Sequence, residues 1–155
     1  MGYDEARRRI TKLLENGHDA EALLTAVFTF EKTIRRMLRF SAVRRGFTSK
    51  QSEVLFSKMG FGQLKDVWPF FEMNSRTLPA IIGDKVWQKV PAAVSMRNKI
   101  VHGERVFKLA TCRLEAENVL AAIDALRKIA LRDTNFDGWS RLPVRKRSLV
   151  GWHAP

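Results

Sequence analysis

The sequence predicts an all-α protein: an antiparallel bundle of four to five helices followed by a basic, poorly structured C-terminal tail. Apolar residues recur at helical spacing over long stretches of the chain. No segment alternates for long between apolar and polar residues, so no strand is expected. With 155 residues and 45% hydrophobic content, the chain can bury one core. We therefore predict a helical body at residues 1–133 and a tail at 134–155.

Helix boundaries follow from glycine stops and from residues that cap helices. Asn16-Gly17 ends the first helix, and Thr48 or Ser49 caps the third. The predicted helices run, in chain order, over residues 4–15, from Asp19 or His18 to Arg45-Gly46, from Ser49 to Met59-Gly60, from Asp84 or Pro91 to Val101, and from about Leu109 to Arg132. Residues 61–83 are expected to form an irregular connection, because Trp68-Pro69 should break any helix there.

Composition limits the possible partners. The chain has 28 basic and 16 acidic residues, a formal charge of +12, and such an excess predicts an acidic partner, most often nucleic acid. A single cysteine, Cys112, excludes an intramolecular disulfide. No apolar run approaches the length of a membrane span, and residues 1–20 do not resemble a signal peptide. We expect a cytoplasmic protein with no membrane partner.

A row of basic residues follows one face of the long second helix. Lys32, Arg35, Arg36 and Arg39 are spaced at i, i+3, i+4 and i+7, and residues 31–50 contain seven bases and one acid. Such a row can neutralise several RNA phosphates. The alternative is a solvated face that only keeps the protein soluble.

The tail is basic as well. Residues 141–155 contain Arg141, Arg145, Lys146 and Arg147 and no acid. A flexible tail is the favoured interpretation. A phosphate-binding arm, or a segment that docks on a partner through Leu149, Val150 and Trp152, is the alternative.

Two charged residues occupy positions where the helical pattern calls for apolar ones. Glu31 lies on the apolar stripe of the second helix, and Arg97 lies on that of a later helix. Because an unpaired buried charge is costly, one hypothesis is that the two stripes face each other and Glu31 orients Arg97. The alternative is a surface pair between Glu31 and Arg35, four residues apart.

The motif Arg97-Asn98-x-x-x-His102, closed by Gly103, carries the most plausible chemistry. Arginine stays charged and can form two parallel hydrogen bonds to a phosphate, whereas imidazole titrates near neutrality. Together the two side chains could cleave a phosphodiester without a metal. A chain of this composition is expected to contain such a motif roughly 0.03 times by chance. Metal-ligand spacing, a phosphate-binding glycine loop and a Gly-x-Ser-x-Gly motif are all missing from the sequence, so no cofactor is expected.

This motif, in the second-to-last helix of a small helical protein, resembles the signature of the HEPN superfamily. The long helix with its internal Glu31 is similar to the second helix of that family, and the resemblance covers most of residues 4–132. It implies a metal-independent endoribonuclease of toxin–antitoxin or phage-defence type. Arg97 and His102 would be catalytic, Asn98 a polar neighbour and Glu31 a supporting carboxylate. Family members usually form homodimers, and an antitoxin-like protein is a possible partner.

The sequence therefore predicts RNA cleavage through attack by the 2′-hydroxyl, with Lys99 and the basic row binding RNA. One histidine per motif must serve as base or acid, which independently favours a symmetric dimer. Some members of the family lack nuclease activity. The alternative is thus a non-catalytic helical module that binds nucleic acid or a partner protein through its basic face; a pure scaffold is a third possibility.

Overall fold

The structure is a computed structural model that describes residues 2–151, and these residues form helices and no strand. The all-α prediction is confirmed. The helices are α1 (Tyr3–Glu15), α2 (Asp19–Arg44), α3 (Ser49–Ser57), α4 (Phe61–Phe71), α5 (Leu78–Ile82), α6 (Asp84–Trp87), α7 (Val90–Val101) and α8 (Leu109–Thr134). None of these helices is both long enough and apolar enough to cross a bilayer.

Helix α2 occupies the centre of the fold. It packs most extensively against α8 and also contacts α1, α3, α4 and α7. Its 26 residues include no glycine or proline, and its buried positions recur at helical spacing. Phe28 is the exception among the large apolar residues of this helix, because it is 60% exposed. The largest fully buried side chains of the core include Phe30, Ile34, Leu38, Phe56, Ile123 and Leu126.

The prediction for residues 61–83 is wrong, because α4 continues through Pro69. Proline removes one backbone donor and leaves the Lys65 carbonyl without its usual partner. Lys65 is only half-buried, so water can reach that carbonyl. On the opposite face Leu64 and Trp68 are buried in the core, which offsets the cost of the proline. With α5 also in this region and α6 directly after it, the predicted count of four to five helices is not confirmed.

Residues 135–151 contain no helix or strand, but they are attached to the body rather than loose. The Phe136 ring stacks on Phe40 at 4.3 Å, and Trp139 Nε1 donates to Thr33 Oγ1 at 2.9 Å. Further along, the Leu149 backbone N–H donates to the Gly46 carbonyl at 2.8 Å. This part of the tail is therefore irregular in secondary structure but contacts α2, and its flexibility stays a prediction. Trp152 lies outside the described residues.

Candidate active site around Arg97 and His102

Helix α7 carries the Arg97–His102 motif. It starts at Val90 with proline in its first turn, where the missing N–H needs no partner. Four buried residues fix α7 against α8 and α2: Val90, Ala93, Val94 and Met96. Arg97 directly follows Met96, and its charged side chain contacts α2.

Glu31 and Arg97 form an ion pair between α2 and α7. Arg97 Nη2 donates to Glu31 Oε1, and the two side chains are only 23% and 12% exposed, respectively. The hypothesis that the two stripes face each other is confirmed. Arg35, the alternative partner, instead donates to the carbonyls of Phe56 and Met59 at 3.0 and 2.8 Å. The Glu31 carboxylate therefore fixes the Arg97 guanidinium in a half-buried position.

The remaining donors of Arg97 are not all satisfied. Its Nε is buried and has no acceptor among residues 2–151. An unsatisfied buried donor costs roughly 1–3 kcal/mol. Because a guanidinium has five N–H donors, Arg97 keeps hydrogen-bonding capacity beyond its bond to Glu31.

The end of α7 is set by Gly103. His102 is the C-cap residue, and Gly103 adopts a φ of +66°, a conformation that glycine tolerates best. The N–H of Gly103 donates to the Ile100 carbonyl at 3.1 Å, and that of Glu104 donates to the Lys99 carbonyl at 2.9 Å. This pair of bonds is the Schellman motif. It ends the helix immediately after His102.

The polar residues of the motif other than Arg97 face solvent. Asn98, Lys99 and His102 are all exposed. Within residues 2–151, no hydrogen bond joins His102 to Arg97 or Glu31. On an ideal helix, residues five apart are about 140° apart around the axis. One protomer therefore brings Glu31 and Arg97 together but leaves the imidazole separate from them.

The basic row on α2 is not a free surface. Arg35 caps the end of α3, as described above, and Arg36 donates to the carbonyls of Gly138 and Ser140 at 2.7 and 2.6 Å. The other two side chains also have partners within the chain: Lys32 Nζ lies 4.8 Å from the Trp139 ring centroid, and Arg39 is 3.5 Å from Glu53. These four residues hold α3 and the tail against α2, and neither interpretation of the row anticipated that role.

Exposed basic residues instead follow the motif in sequence. Arg105 and Lys108, in the loop between α7 and α8, are exposed, as is Lys99. Between Arg97 and Lys108 the chain has four cations and only one acid, Glu104. Counting charges around the motif, rather than along α2, would have found Arg105 and Lys108 in the sequence.

Apolar side chains are exposed beside these cations. Val101, Val106 and Leu109 are 60%, 95% and 55% exposed, respectively. A row of exposed apolar residues beside a polar site is typical of an interaction surface. Among residues 2–151, no three His, Cys, Asp or Glu side chains are grouped to hold a metal ion.

Comparisons of the chain with models of protein families, with curated proteins and with solved structures found no match.

Proposed function

We propose that the protein is a metal-independent endoribonuclease of the HEPN type, with Arg97 and His102 as its catalytic residues. The observation that carries the proposal is the Glu31–Arg97 ion pair, because it gives the motif arginine a fixed position five residues before an exposed histidine. The net charge of +12 and the cations at Lys99, Arg105 and Lys108 supply attraction for a polyanion.

The chemistry needs only a base, an acid and stabilisation of charge. The RNA 2′-oxygen attacks the adjacent phosphorus as one His102 accepts its proton, and the bond from phosphorus to the 5′-oxygen breaks as an imidazolium protonates that oxygen. The products are a 2′,3′-cyclic phosphate and a 5′-hydroxyl. Proton transfer of this kind contributes on the order of 10²–10⁴-fold. Arg97 stabilises the charge that develops on the phosphoryl oxygens.

A homodimer supplies the second imidazole. Two protomers related by a twofold axis near the end of α7 would bring two copies of His102 to one cleft, one as base and one as acid. Val101, Val106 and Leu109 would be buried in that interface. A stable interface of this type buries roughly 1,200–2,000 Å² in total.

The proposed cellular role follows from the family resemblance. An endoribonuclease of toxin or phage-defence type acts on cytoplasmic RNA and must be silenced in the resting cell. An antitoxin-like protein would do so by covering the exposed His102 and the cations that follow it.

The test is incubation of the purified protein with total RNA in EDTA. We expect fragments with cyclic-phosphate and 5′-hydroxyl ends, and no cleavage of DNA. His102→Ala should lower the rate by at least about 10²-fold while circular dichroism stays unchanged. His18→Ala is the matched control, because His18 is exposed and its side chain caps no helix. Cleavage by His102→Ala at the wild-type rate would refute the assignment.

The alternative function is a non-catalytic module that binds nucleic acid or a partner protein through its basic surface. It is favoured by one observation: within a protomer, Arg97 is bonded to Glu31 and not to His102. This alternative predicts RNA binding that weakens steeply with salt and gives no product.

A further inference from the structure

A cavity of about 320 Å³ lies between the C-terminal half of α2, α4 and the end of α8. It is separate from the proposed nuclease site, because its lining does not include Glu31, Arg97 or His102. Its apolar walls include Met37, Leu38, Trp68, Leu126, Ala130 and Phe136. The volume falls at the lower end of the range of about 300–1,000 Å³ that is typical of small-molecule sites.

The charged residues that line the cavity leave an excess of positive charge. Arg76 is bonded to Glu72 and to Asp133, both at 2.6 Å, so these three lining residues together carry one net negative charge. Arg44 and Arg45 also line the cavity, and both are exposed. Neither has a carboxylate partner among residues 2–151.

Aromatic rings help to position these two arginines. The Arg44 guanidinium lies 5.6 Å from the Phe40 ring centroid, and that of Arg45 lies 6.0 Å from the Phe71 ring centroid. Cations over aromatic faces are held in place by the ring quadrupole. With three arginines and two carboxylates the lining carries one net positive charge, and Arg44 and Arg45 place positive charge at the solvent edge of the cavity.

Trp68 is part of the apolar wall of the cavity. The residue is only 6% exposed, and its indole Nε1 is buried with no hydrogen-bond acceptor among the described residues. Because this nitrogen is itself buried, it does not face the open space of the cavity. Trp68 therefore contributes its ring surface to the lining and not a hydrogen bond to a ligand.

We propose that this cavity binds a small amphipathic anion. An aromatic or aliphatic body fills the apolar interior against Trp68 and its neighbours, and a carboxylate or sulfonate head lies against Arg44 and Arg45. The proposal does not depend on the nuclease proposal, because the two sites share no residue.

Two fluorescent probes with the same aromatic skeleton test the anion requirement. These are 8-anilinonaphthalene-1-sulfonate and N-phenyl-1-naphthylamine, which lacks the sulfonate. We expect one molecule of the sulfonate to bind per chain, and the neutral probe to bind at least tenfold more weakly. The double variant Arg44→Ala/Arg45→Ala should lose about tenfold in affinity for the sulfonate and should bind the neutral probe as the wild type does.

The matched control is Arg8→Ala/Arg9→Ala, which removes two exposed arginines from α1, outside the cavity lining. If this variant weakens sulfonate binding as much as the cavity variant does, the attraction is only the overall positive charge and the proposal is wrong. Equal binding of both probes to the wild type would overturn it as well.

The Trp68 indole N–H resonance in an NMR spectrum gives a second readout. It is measured on the wild-type protein, so it does not require a variant of the cavity to fold. The signal is assigned by its loss in Trp68→Phe. Addition of the sulfonate probe to the wild-type protein should shift this resonance more than the other tryptophan indole signals, because the Trp68 ring lines the cavity. An unmoved Trp68 signal at saturating probe would place the probe elsewhere and refute the proposal.

Discussion

Two regions that share α2 differ in what they offer a ligand. Near the middle of α2, Glu31 fixes Arg97, and the motif histidine on α7 is open to solvent. At the C-terminal end of α2, a cavity of about 320 Å³ is bordered by Arg76, Glu72 and Asp133, which are linked by ion pairs. The first region has groups suited to acid–base chemistry and an open surface. The second has a concave, apolar surface and no histidine in its lining.

The groups suited to chemistry and the concave pocket are therefore in different regions of the molecule. Proton transfer and charge stabilisation are most effective where water is excluded, and an open surface does not provide that. Under the nuclease proposal, the surface around His102 would need a second molecule, either another protomer or RNA, to complete a site. The cavity is a concave pocket formed by a single chain and open to solvent on one side, which suits binding without chemistry.

The largest expected effect concerns the ion pair that fixes the first region. Arg97→Ala leaves Glu31 buried without its partner, so the free energy of unfolding should fall. The loss should be somewhat less than the about 3–5 kcal/mol seen for fully buried pairs, because both side chains are partly exposed. Urea denaturation of Arg97→Ala, Glu31→Ala and the double variant measures the coupling. Strictly additive losses in the double variant would show that the two residues do not interact.

The next largest effect concerns the arginines that α2 uses to hold the tail. Arg36→Ala removes hydrogen bonds to the carbonyls of Gly138 and Ser140 and should lower the free energy of unfolding by about 1.5–3 kcal/mol. Limited proteolysis should also cut residues 135–151 faster. Arg9→Ala, an exposed arginine on α1, should change stability by no more than about 0.5 kcal/mol. If Arg36→Ala lost RNA binding at full stability instead, the basic row would be a nucleic-acid surface after all.

The smallest effect is a pH dependence in the second region. Hydrogen bonds from Arg132 and Arg76 lower the pKa of Asp133 from 3.8 to about 2. Burial opposes a similar change at Glu72, but hydrogen bonds from Arg76 still leave the pKa of Glu72 lowered. As the pH falls, the unfolded chain protonates these carboxylates at a higher pH than the folded chain does. Their contribution to the free energy of unfolding is therefore complete above about pH 4 and is lost as the pH falls towards 2.

Thermal unfolding between pH 5 and pH 2 measures this dependence. Asp133→Asn, which cannot titrate, should show a shallower fall of Tm than the wild type. Identical slopes for the two proteins would mean that Asp133 is not held by its arginines in solution.

The predictable part of the molecule is the part in which each side chain obeys a periodic pattern. The long helices α2 and α8 follow from the spacing of apolar residues, and the end of α2 follows from the glycine at position 46. The Glu31–Arg97 pair is one of the two pairings that the same pattern allows, since a charge in an apolar stripe needs a partner. Such a pair can be detected in the sequence because each charged residue interrupts a helical stripe of apolar residues.

The features that were missed depend on contacts that no local pattern encodes. Helix α4 continues past Pro69 because Leu64 and Trp68 are buried in the tertiary structure, which a proline rule does not consider. The arginines of α2 bind backbone carbonyls of the tail and α3, and every residue in a chain has a carbonyl. The cavity arises where three helices meet and has no signature in any one of them.

The stop at Gly103 has a consequence for how this motif should be identified in other chains. A residue with a β-carbon at a φ of +66° is strained by roughly 1–2 kcal/mol, so a library selected for folding alone would be depleted of valine, isoleucine and threonine there. A glycine that recurs after the histidine would thus reflect backbone geometry and not participation in the reaction. Searches that weight it as part of a catalytic signature would collect helix ends together with enzymes.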